Sequence, residues 1–188
     1  MRHLEFDGRY TRAILEEKKR ATVRRRKPNL RRGDEILIHV GGYVIGRAIV
    51  EDIEGRRVCE LTDSDAFLDG FSSREELIEA LKKHYWNLSD FDTVYIIHFR
   101  LTERFEKPVM SSDYAYEGNS PLEVAEMALR YLALPEEDRE LIKLFLQTGS
   151  LRKVAYRLGG LHKRRKIREA LKRAYMELKK EGLMGPKT

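Results

Sequence analysis

Cysteine is all but missing from this 188-residue chain: Cys59 stands alone and can close no internal disulfide. No group of Cys and His carries zinc-ligand spacing, so neither a metal nor another cofactor is expected. A lone thiol suits a reducing compartment, and the cytoplasm is the expected location. Long apolar runs are missing as well. The opening residues MRHLEFDGRY lack the apolar stretch of a signal peptide, and no segment approaches the ~20 apolar residues of a membrane span, so no membrane partner is expected. Glutamine occurs once, at Gln147, and asparagine is scarce beside abundant Lys, Arg and Glu, a composition of heat-adapted proteins that suggests a thermophile.

What remains is a soluble, globular composition with 41% hydrophobic and 36% charged residues. The net charge of +6 conceals a segregation along the chain. Residues 1–32 hold 12 Lys and Arg against 4 acids, residues 33–119 hold 9 against 18, and residues 120–188 hold 16 against 9. Two cationic zones around an acidic middle fit a polyanionic partner, and nucleic acid is the expected one. A run such as Arg24-Arg25-Arg26-Lys27 read alone is equally a solvated face.

The pattern of the first half is rich in strands. A strand near Leu4 to Phe6 precedes a short helix over Tyr10 to Glu17, followed by strands at Glu35 to Val40, Tyr43 to Asp52, Val58 to Leu61 and Thr93 to Leu101. Gly41-Gly42 is a hairpin turn. One helix interrupts them, opening at Ser72-Ser73 with an apolar stripe of Leu77, Ile78, Leu81 and Tyr85. Closely spaced strands with few helices predict a small closed or partly closed barrel. Residues 111–120, SSDYAYEGNS, are small and polar and predict a linker. Beyond them the period is helical. Leu122, Ala125, Met127 and Leu129 begin one helix, Leu141, Ile142, Leu144 and Phe145 face inward on a second, Leu151 to Leu158 is a third, and His162 to Lys180 is a fourth. The expected fold class is therefore α+β, with domains at 1–110 and 121–188.

Glu17-Lys18-Lys19-Arg20-Ala21-Thr22-Val23-Arg24, the Gly33-Asp34 turn into a strand, Asp69-Gly70-Phe71-Ser72, and Tyr85 with the TVYIIHF strand together resemble the ASCH family over residues 1–102. The resemblance implies a PUA-like β-barrel. The family motif Gly-x-Lys-x-x-Thr-x-Arg falls on Lys19, Thr22 and Arg24, while Glu17 stands at the Gly position. Thr22 and Arg24 lie two apart on a strand and share a face, with Lys19 able to reach over them. They make an anion or polar-ligand pocket unless Arg24 pairs with Asp69 and Thr22 merely packs. Small bacterial members of the family are amidohydrolases acting on acetylated cytidine through Lys, Thr and Glu. This resemblance implies a catalytic set of Lys19, Thr22 and Asp69, with an Asp in place of Glu. Other PUA-like relatives bind RNA without catalysis. Arg25 and Arg26 extend the basic surface, and Trp86 is either packed or stacked on a base. His39, His84 and His98 are taken as packed or surface residues, and Cys59 has no base beside it.

The second half resembles the promoter-reading helix-turn-helix of sigma factors, in LPEEDRE, GSLRKVAYRLG and IREALKRA, with a turn longer than usual at Gly160 to Arg165. The resemblance implies that Lys163, Arg164, Lys166 and Arg168 meet bases or phosphates while Arg152, Lys153 and Arg157 hold the backbone. The reading is thus a nucleic-acid-binding protein, of RNA or DNA, in transcription or RNA-related regulation, more a binder than an enzyme. Two alternatives stand beside it: an amidohydrolase taking a nucleoside-like small ligand, and a non-enzymatic adaptor that dimerises through its helices.

Overall fold

The computed structural model describes residues 2–187; Met1 and Thr188, the outer ends of the expected domains, lie outside the described residues. The chain divides into two compact units between Pro108 and Val109. Among the described residues the first unit is a five-stranded mixed sheet with three helices, and the second is helical, so the fold is α+β. No helix of the described residues is long and apolar enough to cross a membrane.

The sheet runs in the order β1-β3-β4-β5-β2, from β1 (Arg2–Phe6), β2 (Ala21–Arg24), β3 (Glu35–Val40), β4 (Tyr43–Arg57) and β5 (Thr93–Met110). β1 lies parallel to β3, and β2 lies antiparallel to β5 with Thr22 opposite Ile97 and Arg24 opposite Tyr95. The two-residue period sends alternate side chains to opposite faces. Leu4, Phe6, Ile36, Ile38, Ile97 and Phe99 fill one core, while Ala21, Val23, Val94 and Ile96 fill a second with the helices. A bulge between Ile38 and His39 shifts the β3–β4 register.

Short helix α1 (Thr11–Leu15) buries Ile14. The sequence pattern does not mark α2 (Asp63–Asp69), which begins at a capping box of Thr62 with Asp65 and ends at Gly70, whose φ of 85° a residue with a side chain adopts poorly. Asp69 therefore closes one helix rather than opening the next. Ser73 caps α3 (Arg74–His84) by accepting from the Glu76 N–H at 3.2 Å, as its acidic first turn suggests. The stretch from Val58 is not a strand. The Glu60 carboxylate accepts the Arg57 N–H at 3.0 Å and closes a single 3-10 turn over Val58–Glu60, leaving Cys59 exposed. β4 and β5 extend beyond their expected ends.

In the second unit, α4 (Pro121–Tyr131), α5 (Glu136–Thr148), α6 (Leu151–Arg157) and α7 (Arg164–Lys180) enclose one core. The inward face of α4 is Val124, Ala125 and Ala128; Leu122 is exposed and Met127 and Leu129 are half-buried, so the expected stripe there is rotated. On α5 Leu144 is half-buried beside the buried Leu141, Ile142 and Phe145. The α7 stripe of Ile167, Leu171, Ala174, Tyr175 and Leu178 is buried as the period predicts, but residues 161–163 form a 3-10 turn before it. Residues 111–120, expected as a linker, bury Tyr116 and Asn119, and Asn119 Nδ2 donates to the carbonyls of Tyr116 and Gly185.

Glu17 occupies the left-handed region at φ 57°, the conformation that a Gly in this motif position adopts freely. The turn forms regardless, with Arg104 donating to the Glu17 carboxylate at 2.6 Å. Glu17→Gly is expected to leave the fold intact and shift stability by no more than about 1 kcal/mol, because relief of backbone strain offsets the flexibility of Gly. Gly46→Ala is expected to destabilise by about 1–3 kcal/mol, since a Cβ there collides with the Glu103 main-chain carbonyl on β5. Urea denaturation of both variants measures the contrast.

Candidate functional site

The two edge strands of the curled sheet, β1 and β2, are joined by a side chain rather than a ladder. Arg24 on β2 donates from Nη2 to the Glu5 carbonyl of β1 at 2.7 Å, and its guanidinium lies 5.8 Å from the centre of the Phe6 ring. Pairing with β5 turns the Val23 N–H outward from the sheet, where Asp69 Oδ2 accepts it at 2.9 Å. The end of α2 is thereby fixed to the edge of β2.

Lys19 sits in the turn between α1 and β2. Its own N–H donates to the Ala13 carbonyl at 2.9 Å, and the next N–H, of Arg20, donates to Leu68 at 2.8 Å. The side chain is 2% exposed and its ammonium is paired with the Asp69 carboxylate and also donates to the Asp69 main-chain carbonyl. Its Nζ lies 4.5 Å from the centre of the Tyr10 ring and 5.5 Å from that of Phe6, within cation–π range. Burial lowers the pKa of Lys19, against the attraction of Asp69 that raises it. Burial likewise raises the pKa of Asp69, against the charge of Lys19 and the Val23 N–H. Each partner is thus drawn toward its neutral form by loss of water and held charged by the other.

These groups line a cavity of about 230 Å³. Thr22 is buried in it, and its hydroxyl makes no hydrogen bond among the described residues. Phe6, Tyr10, Phe71, His84 and Tyr85 form aromatic walls, with His84 and Tyr85 edge to face at 4.7 Å. Lys19 and Asp69 cancel within the cavity, and Arg9 and Arg24 share its lining with Asp7 and Glu5. The interior is close to neutral and aromatic, with the Thr22 hydroxyl among its polar groups.

Lys19, Thr22 and Arg24, which lie within six residues of one another, and Asp69, which is distant in the chain, therefore line one cavity. Arg24 donates to the Glu5 carbonyl rather than to Asp69, and so bridges the seam. Arg25 lies outside the cavity and bonds to the carbonyl of Trp86 at 2.9 Å and to Asp92 at 3.2 Å. Arg26 and Trp86 are exposed. Sequence reasoning misses Phe6, Arg9, Tyr10, Phe71 and, among the histidines, His84 as lining residues. The apolar spacing that includes Tyr10 is its only signal.

In the helical unit Arg152, Lys153 and Arg157 on α6 are exposed and carry no ion pair among the described residues. The Arg152 guanidinium lies 5.8 Å from the centre of the Tyr156 ring. Lys163 and Arg164 are half-buried around the start of α7, and the Arg164 Nε has no hydrogen-bond partner among the described residues. Lys166 and Arg168 are exposed, Lys166 being paired with Glu137. Residues 158–163 separate α6 from α7, with Gly159 and Gly160 at positive φ, which accounts for the long turn seen in the sequence.

As a sequence, the chain matches no family model and no curated protein. Solved structures that it is similar to include an ASCH domain from Lactobacillus crispatus, 12% identical over 54% of this chain and 82% of that one, with a TM-score of 0.46. Another is ASCH from Zymomonas mobilis, 19% identical over 72% of this chain and 90% of that one, with a TM-score of 0.41. A third, from Enterococcus faecalis, is 13% identical over 57% of this chain and 85% of that one, with a TM-score of 0.46.

Proposed function

We propose that the chain is a nucleic-acid-binding protein whose sheet unit takes one nucleoside-sized group into the seam between β1 and β2, while exposed cations neutralise neighbouring phosphates. The observation that carries this reading is the division of charge at the seam. Inside, Lys19 is neutralised by Asp69, and the walls are aromatic. This suits an uncharged planar ring better than a phosphate. Outside, Arg26 and Lys27 are exposed and unpaired among the described residues. At about 230 Å³ the cavity is below the roughly 300–1,000 Å³ of pockets for drug-sized ligands, which fits a single base or nucleoside. The exposed cations of α6 and the start of α7 supply a second phosphate-binding surface, and a role in transcription or RNA-related regulation follows from that partner. The helix-turn-helix reading belongs to this proposal.

One observation favours a second reading, an amidohydrolase of acylated nucleosides: Lys19, Thr22 and Asp69 meet at one cavity, and burial draws Lys19 toward the neutral amine. In that chemistry the amine takes the proton of the Thr22 hydroxyl as its oxygen attacks the amide carbon, the C–N bond breaks as the leaving nitrogen takes that proton from the lysine, and water then hydrolyses the ester to a carboxylic acid and restores the Thr22 hydroxyl. In the structure both the carboxylate and the main-chain carbonyl of Asp69 occupy the Lys19 ammonium. This arrangement serves a fixed structural ion better than a proton acceptor, and binding is the stronger reading.

Thr22→Ala separates the two. A binder loses one hydrogen bond, about 0.5–1.5 kcal/mol of affinity, whereas an amidohydrolase loses its turnover. Turnover that depends on neutral Lys19 rises with pH and levels off above an inflection lying below the ordinary 10.5 of lysine, because its pKa is lowered. The expected outcome is no deacylation of acetylated cytidine by the purified protein. Nucleic-acid affinity is expected to fall with salt, with a log–log slope of about 0.9 per phosphate neutralised on duplex DNA and about 0.7 on single strands. Replacing Arg26 and Lys27 by Gln should make that slope shallower by about one such increment for every phosphate left without its cation. Affinity independent of salt contradicts the proposal.

A further inference from the structure

Trp86 and Phe91 are 86% and 75% exposed, the two most exposed large apolar side chains among the described residues. They stand on a loop, residues 85–92, that is pinned at nearly every position. Leu88 is buried in the second core, and its N–H donates to the Tyr85 carbonyl at 3.2 Å. The Asp90 and Asp92 carbonyls accept the N–H groups of Cys59 and Val58 at 2.9 and 3.1 Å. The Asp92 carboxylate accepts the Ser89 N–H at 3.1 Å, and Ser89 Oγ accepts the Phe91 N–H at 3.3 Å. Across both ends of the loop lies one guanidinium: Arg25 donates to the Trp86 carbonyl at 2.9 Å and to Asp92 at 3.2 Å. A mobile loop would be free to fold its aromatic rings back onto apolar surface; a loop held in this way keeps them in water.

Its surroundings identify what such rings would meet. The acids beside them are already neutralised, Asp92 by Arg25 and Asp90 by Lys82 at 2.8 Å, so they do not repel a polyanion. Arg26 and Lys27 follow Arg25 directly and are unpaired among the described residues. His84 and Tyr85, immediately before Trp86, line the seam cavity, so the loop continues from the cavity wall. Flat aromatic faces beside free cations are the chemistry of base stacking with phosphate neutralisation. Unpaired bases offer stacking faces all along a strand, whereas a duplex exposes one only at each of its ends.

Resting on the nucleic-acid reading above, we infer that loop 85–92 is a rigid stacking platform for single-stranded nucleic acid, with Trp86 and Phe91 as its faces and Arg25 as the residue that positions them. Bases flanking the one held in the cavity would lie on this platform.

Trp86 is the only tryptophan in the chain, so its emission reports on the platform directly. The intact protein is titrated with an oligouridylate, with a blunt RNA duplex of equal length, and with phosphatidylserine vesicles. The expected result is saturable quenching by the single strand and much less by the duplex. Trp86→Ala should weaken single-strand binding about 5- to 100-fold, and Trp86→Phe should restore most of it. Arg25→Ala should reduce the quenching although the Trp86 side chain itself is still present. Both aromatic side chains are exposed, so their removal leaves the core untouched. Single-strand binding that neither changes Trp86 emission nor responds to Trp86→Ala overturns the platform and leaves the nucleic-acid reading standing. Absence of binding to either nucleic acid overturns both. A blue shift with vesicles alone assigns the loop to a membrane surface and overturns the platform.

Discussion

The ion pair of Lys19 with Asp69 is the constraint from which the rest of the sheet unit follows. Both groups are almost without solvent, and each charge costs several kcal/mol to bury alone. Their mutual attraction offsets that cost only because the remaining hydrogen-bonding capacity is also used: the Val23 N–H and the Asp69 main-chain carbonyl complete the cluster. The pair therefore joins the turn after α1 and the edge of β2, which follow one another in the chain, to the distant end of α2. With β2 held by Asp69 on its outer edge, no further strand adds there. The seam toward β1 is bridged by the Arg24 side chain, and a cavity remains where a closed ladder would have left none.

That geometry also sorts the charges. The basic run at residues 24–27 looks uniform in sequence, yet its members do three different things. Arg24 bridges two strands, Arg25 staples a loop, and Arg26 and Lys27 stay free in solvent. Only the last two behave as the general expectation for a charge run suggests. A cation whose donors are taken by main-chain carbonyls acts as structure, and its contribution to a polyanion surface is correspondingly smaller. The same distinction applies to Lys166 on α7, which is paired with Glu137, against Arg152, Lys153 and Arg157, which are not.

The proximity of Lys19, Thr22 and Arg24 was legible in the chain because they sit at fixed short spacing on a turn and strand, where the two-residue period gives Thr22 and Arg24 a shared face; Asp69 was placed beside them only by the family resemblance. The strand–helix alternation and the α7 stripe were legible for the same reason. The aromatic walls were not. Phe6, Tyr10, Phe71 and His84 meet only after tertiary folding, and nothing local marks a Phe on an edge strand as a cavity wall. Helix α2 is too short for a periodic stripe to stand out, and Val58 mimics a strand residue because a buried β-branched side chain looks alike in a strand and in a 3-10 turn. On α4, small residues take the inward face that larger ones were expected to fill, because Ala125 and Ala128 let α7 and α5 approach. The left-handed backbone of Glu17 was hidden by its identity, since the motif position normally announces that conformation with Gly.

A double-mutant cycle on the buried pair tests this account most directly. Unfolding free energies by urea are measured for the full chain, for Lys19→Met, for Asp69→Leu and for the two combined. Each single change strands an unpaired charge in the core and should cost about 3–5 kcal/mol, while the combined change should cost far less than the sum of the two. Costs that add independently would contradict the claim that this pair organises the seam.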